Sequence, residues 1–74
     1  MKYDESIDCK GLECPMPIVH ITKTIAKMDK GQRLHAEVTD PSFTEDLTVW
    51  AKRHAYTVVE LTEENQVVNV VIEK

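Results

Sequence analysis

The chain has 74 residues, 42% of them apolar and 30% charged, with a formal net charge of −4. That length holds one domain, spanning 1–74, and buries only about 60% of its unfolded surface, which leaves no room for an enclosed substrate cavity. The mixed composition argues against global disorder, the acidic balance against a nucleic-acid grip, and the lack of an apolar run of about 18 residues against a membrane-spanning helix.

Ser6 to Lys10 reads as a short strand, with Ile7 and Cys9 on one face and Asp8 and Lys10 on the other. Gly11 breaks it. Pro15 then opens a helix, because its fixed φ suits the first helical position and its missing N–H is no loss there. Ile18, Ile21, Thr22, Ile25, Met28 and Asp29 form one stripe of that helix, and His20, Lys23 and Lys27 lie opposite. Gly31 is expected to close it as a C-cap.

Leu34, Ala36 and Val38 alternate with His35, Glu37 and Thr39, predicting a second strand. Asp40-Pro41-Ser42 is a turn. Ser42 with Glu45 matches a capping box that starts a second helix. Phe43, Leu47, Trp50, Ala51 and His54 line the inner face of this helix, and Lys52, Arg53 and His54 suit its negative end. Thr57 to Leu61 and Val67 to Ile72 are β-branched runs joined at Glu63-Glu64-Asn65, where Asn65 tolerates a left-handed conformation. The order β-α-β-α-β-β implies an α+β two-layer sandwich. The first unit gives a parallel pair with a right-handed crossover, the final hairpin an antiparallel one. The result is a mixed four-stranded sheet with both helices on one face, the other face being open to water or a partner.

The chemistry is concentrated in Cys14-Pro15-Met16-Pro17. A cysteine at a helix start meets unpaired backbone N–H groups and the positive end of the helix dipole, both of which favour a thiolate. Only the amides of Met16 and Ile18 remain as donors there, since both prolines lack an N–H. In a dithiol redox enzyme the second cysteine would stand at position 17, which here is Pro17. A reactive sulfur without a local resolving thiol suits attack on a sulfur carried by another protein, followed by hand-over to a third. Cys9 reads as a core residue facing the helices. A Cys9–Cys14 disulfide is the alternative, and it requires Cα atoms within about 7 Å. His20, His35 and His54 with the two cysteines match no common zinc pattern, and there is no Gly-rich phosphate loop. No metal or cofactor is expected beyond a transient group on Cys14. Asp40, Asp46 and Trp50 read as a turn former, a first-turn carboxylate and a core residue.

Asp8-Cys9-Lys10-Gly11-Leu12-Glu13-Cys14-Pro15-Met16-Pro17, together with Lys23, resembles the signature of the TusA/SirA-like sulfur-carrier family. Asp40-Pro41, then Asp46-Leu47 and Trp50, resembles its second motif. The resemblance implies a two-layer α/β sandwich and a sulfur carrier that bears a persulfide on Cys14. It also implies a cysteine desulfurase or rhodanese-like donor and a downstream sulfur-relay acceptor, as in tRNA 2-thiolation, cofactor synthesis or sulfur oxidation. Gly11, Pro15 and Pro17 would shape the loop, and Lys10, Glu13 and Lys23 would dock partners. The chain departs from the family where a proline often stands in place of Thr48, in having Cys9, and in its less basic end, Val71-Ile72-Glu73-Lys74. Two cysteines behind a polar, acidic start point to the cytosol. Two other readings stand beside the carrier. One is a non-catalytic regulatory or protein-interaction module using an open sheet face around Val58, Val68 and Val70. The other is a thiol redox protein using Cys9 and Cys14.

Overall fold

The computed structural model describes residues 3–13 and 15–74. Its elements are β1 (Glu5–Cys9), α1 (Met16–Ala26), β2 (Arg33–Val38), α2 (Phe43–His54), β3 (Thr57–Glu64) and β4 (Val67–Glu73), the order expected from the sequence. The strands form one sheet in the spatial order β1-β2-β4-β3. β1 runs parallel to β2 with Cys9 opposite Val38, while β4 is antiparallel to both β2 and β3. The Cα extents of 30 × 26 × 17 Å leave depth for one sheet and one layer of helices.

Strand alternation and helix periodicity meet in one core. Leu34, Ala36 and Val38 of β2 and Val68, Val70 and Ile72 of β4 are buried at every second position. They pack with Ile21 and Ile25 of α1 and with Phe43, Leu47, Trp50 and Ala51 of α2. Fully burying one such side chain contributes about 1.5–3 kcal/mol. The α1 stripe is narrower than expected. Pro17, Ile21 and Ile25 carry it, with Met28 just past the helix end, whereas Thr22 and Asp29 are exposed. The Thr22 hydroxyl instead donates to the Ile18 carbonyl at 2.7 Å.

The helix-free face corrects the expectation of an apolar surface there. Val68 and Val70 belong to the core and Val58 packs against it, because β4 pairs in a register that turns its even-numbered positions toward the helices. The opposite face is polar. His35 bonds Ser6 Oγ through Nδ1 at 2.9 Å and Asn69 Oδ1 through Nε2 at 3.0 Å, and Tyr3 stacks on the imidazole with centroids 4.8 Å apart. Val71, opposite His35, is the buried apolar residue of this face.

Element ends differ from the sequence reading in three places. Helix α1 stops at Ala26 with Lys27 as its C-cap, so Gly31 is not its cap. Gly31 instead takes φ 94° in the turn before β2, where its N–H donates to the Lys74 carbonyl at 2.9 Å. The helix start at Ser42 lacks a capping box. Ser42 is itself in the right-handed helical region and makes no cap bond. Asp40 Oδ1 accepts both the Ser42 N–H, at 3.0 Å, and the Ser42 hydroxyl, at 3.3 Å. Finally, α2 ends in a Schellman motif without glycine. Ala55 lies at φ 58°, its N–H reaches the Lys52 carbonyl, and the Tyr56 N–H reaches the Ala51 carbonyl. The Tyr56 ring packs on Trp50 with centroids 5.3 Å apart, supplying the apolar contact such a motif uses.

The β3–β4 hairpin closes through Asn65 and Gln66, both at positive φ (52° and 65°), as a type I′ turn requires. Asn65 was legible as a left-handed residue, Gln66 was not. β3 is an edge strand with a bulge between Val58 and Glu60. A left-handed residue bearing a Cβ costs about 1–2 kcal/mol, and glycine gives back about 0.4–1 kcal/mol through the unfolded chain. Ala55→Gly and Gln66→Gly are therefore each expected to raise stability by about 0.5–1 kcal/mol, measured by urea denaturation at constant m-value.

Candidate functional site

The site is built where β1 hands over to α1. The parallel β1–β2 pairing sets the residues that follow Cys9 beside those that follow Val38. Three hydrogen bonds tie this turn. The Lys10 N–H donates to Asp8 Oδ1 at 2.9 Å, the Leu12 N–H to the Cys9 carbonyl at 3.2 Å, and the Gly11 N–H to Thr39 Oγ1 at 2.9 Å. Gly11 sits at φ 83°, where a Cβ is strained even though the space beside it is open. Leu12 packs on the core and anchors the turn from below. Thr39 was missed as a site residue. Its signal was the parallel pairing itself, which brings position 39 alongside the loop after β1.

Cys14 lies outside the described residues, but both of its flanks are placed. The Met16 N–H donates to the Glu13 carbonyl at 2.8 Å, joining the chain across positions 14 and 15. Pro15 is the N-cap of α1 and Pro17 lies in its first turn, fully buried. Pro15 thus stands one position earlier than its expected place as the first helical residue. The first turn of α1 carries no acidic residue and its N-cap makes no side-chain hydrogen bond, while Asp46 of α2 lines the groove beside Pro15. The Met16 amide, expected to be a free donor for a thiolate, is already committed to Glu13.

Glu13 faces a hollow of about 540 Å³ that it shares with Gly11, Leu12, Thr39 and Asp40. The expected docking residues Lys10 and Lys23 are kept apart. Lys10 turns to the helix-free face of the sheet, its Nζ 3.7 Å from Glu37 Oε2 and 4.0 Å from Asp8 Oδ2. Lys23 lies in the last turn of α1 and shares a groove with His20 and Lys27.

Cys9 is a free, fully buried thiol in the core, as its strand parity predicted. Its partner was not predicted. His20 is exposed overall, yet it lies three residues after buried Pro17, at the flank of the inner stripe. Its Nδ1 stands 3.5 Å from Cys9 Sγ. Burial, and secondarily the neighbouring Asp8 carboxylate, push the Cys9 thiol above its ordinary range. Cys9 therefore keeps its proton, in hydrogen-bond contact with the imidazole nitrogen. His35 and His54 are remote in role: the first is held in the sheet-face network, and the second stacks on Tyr56 with centroids 5.6 Å apart. Among the described residues, no group of three or more His, Cys, Asp or Glu side chains gathers to hold a metal ion. No helix of the described residues is long and apolar enough to cross a membrane.

A mixed sheet of four strands under two helices, with a Pro-rich entrance to α1 beside the Asp40-Pro41 turn, defines a small two-layer α/β sandwich with a surface site. The profile of the family described as Sulfurtransferase TusA matches residues 5–74, and the chain belongs to that family. It is 39% identical over its full length to the protein YrkI of Bacillus subtilis, covering 99% of that chain. It is 36% identical over 72 residues to the sulfur carrier protein TusA of Allochromatium vinosum, covering 97% of this chain and 95% of that one. The crystal structure of a SirA-like protein from Desulfitobacterium hafniense superposes with a TM-score of 0.84 at 26% identity, covering 95% of this chain and 96% of that one.

The raised Cys9 pKa has a consequence for stability. A group whose pKa is higher folded than unfolded contributes stability that is full below the unfolded value and is lost as pH rises through the folded one. The midpoint of thermal unfolding is expected to fall as pH climbs above about 8.5, the ordinary thiol pKa. Cys9→Ala, though less stable throughout, should show a flatter profile in the same window by calorimetry.

Proposed function

We propose that the chain is a persulfide carrier whose working atom is Cys14 Sγ. The Cys14 thiolate attacks the outer sulfur of a donor persulfide R–S–SH. The new Cys14 S–S bond forms as the donor S–S bond breaks, and the donor leaves as its thiolate R–S⁻. A second protein's thiolate then attacks the outer sulfur of Cys14–S–SH, takes it as its own persulfide and releases the Cys14 thiolate. Both steps are exchanges at sulfane sulfur and need no oxidant or reductant.

The observation that carries this reading is the disposition of the motif's described residues. Gly11 to Glu13 are pinned on one side of position 14 and Pro15 to Pro17 on the other, at the uncapped start of α1 and on the protein surface. With Pro17 in place of a resolving cysteine, a sulfur held there has no partner one turn away. The buried, protonated Cys9 is poorly suited to be the second thiol of a redox pair. The polar helix-free face likewise removes the apolar surface that an interaction module was expected to use. Family membership and the names of the relatives support sulfur carriage. The donor, a cysteine desulfurase or rhodanese-like protein, the relay acceptor and a cytosolic setting belong to this proposal, as does an end product such as thiolated tRNA. The fold supplies presentation rather than catalysis, so any sulfurtransferase activity is shared with the partners.

Intact-mass spectrometry after incubation with a cysteine desulfurase and cysteine tests the reading. Wild type and Cys9→Ser are expected to gain one sulfur atom that reductant removes, and Cys14→Ser to gain none. Loading of Cys14→Ser to the wild-type level would overturn it.

A further inference from the structure

A second groove touches the motif from its other end. Helices α1 and α2 leave a channel of about 380 Å³ beside Pro15, with Ile18, Val49 and Trp50 as apolar lining and Arg53 and His54 at its rim. Val49 is 60% exposed and Met16, next to Pro15, is 51% exposed, so the largest exposed apolar side chains of both helices lie at this end of the molecule. Trp50 is nine-tenths buried, and its Nε1–H has no acceptor among the described residues. Arg53 is exposed at the rim, and Lys52 and His54 flank it in a chain of net charge −4. Asp46 also lines the groove, seven residues or about 10 Å up the helix axis from Arg53. The groove is therefore apolar in the middle, with the Asp46 carboxylate along one stretch and the Arg53 guanidinium about two helical turns further on.

We propose that this groove seats a segment of a sulfur-exchanging partner protein, an apolar side chain close to the partner's reacting cysteine with an acidic residue paired to Arg53. The proposal rests on the carrier reading, which makes Cys14, immediately before Pro15, the point where a partner's sulfur must arrive. An apolar anchor in a desolvated groove supplies affinity, and a charge at the rim supplies orientation and encounter rate. Such a seat lets one face receive donor and acceptor in turn, provided each presents the same apolar–acidic neighbourhood around its cysteine. The cationic groove of His20, Lys23 and Lys27 is separate, lying toward the other end of α1.

The test uses disulfide exchange. Two octapeptides carry one cysteine activated as a thionitrobenzoate mixed disulfide, flanked in one by leucine and glutamate and in the other by serine and lysine. Attack by Cys14 joins its sulfur to the peptide and releases coloured thionitrobenzoate; mass mapping confirms the modified cysteine. Wild type is expected to react about fivefold or more faster with the leucine–glutamate peptide at physiological salt. Val49→Asp and Arg53→Glu, both exposed positions, should each abolish most of that preference while reacting with neutral dipyridyl disulfide at the wild-type rate. Equal rates for the two peptides, or a preference that survives both substitutions, would overturn the proposal. A wild type inert to dipyridyl disulfide would instead remove the carrier reading, and this proposal with it.

Discussion

The parallel pairing of β1 with β2 is the constraint from which the rest follows. Setting Cys9 opposite Val38 obliges the intervening chain to cross over the sheet as α1, and it leaves two loops side by side at the same end. One loop carries Gly11 to Glu13 and the other Thr39 to Ser42, and the Gly11–Thr39 hydrogen bond joins them. The start of α1 is thereby fixed at a sheet end rather than over its middle. A register slip of one residue would turn Cys9 and Ile7 toward water and dismantle the platform along with the core.

What the sequence revealed was what periodicity encodes. The alternation Leu34, Ala36, Val38, the β-branched runs of the hairpin and the inner stripe of α2 led directly to the element order and to most of the core. The misreadings came from local signals that tertiary contacts overrode. Gly31 looked like a helix cap but serves the strand entry, where Lys74 binds its N–H. Ser42 and Glu45 matched a capping box, yet the Asp40 side chain reached Ser42 first. Val68 and Val70 looked free for a partner because the sequence does not say which face of a strand the helices cover. At the site, the motif itself was legible, but its supports were not. Thr39 and His20 lie 28 and 11 residues from the groups they hold, and no spacing rule connects such pairs.

The two cysteines stand in different contexts along the chain. Cys9 is placed by strand parity among Ile21, Val38 and their neighbours, where an anion is disfavoured and the thiol stays protonated beside His20. Cys14 is placed by sequence just ahead of an uncapped helix start with no carboxylate in the first turn. The separation of Lys10 from Lys23 follows the same geometry, since a residue at the end of β1 and one late in α1 face different sides of the sandwich.

The outer edge of β3 bears on how the molecule behaves at high concentration. Its eight residues include Glu60, Glu63 and Glu64, and the bulge at Val59 twists the strand out of register just where it would otherwise lie flat. An edge shaped in this way is a poor template for another strand. Strand pairing between copies of the chain along this border is therefore disfavoured, and the unpaired backbone groups of β3 are left to water.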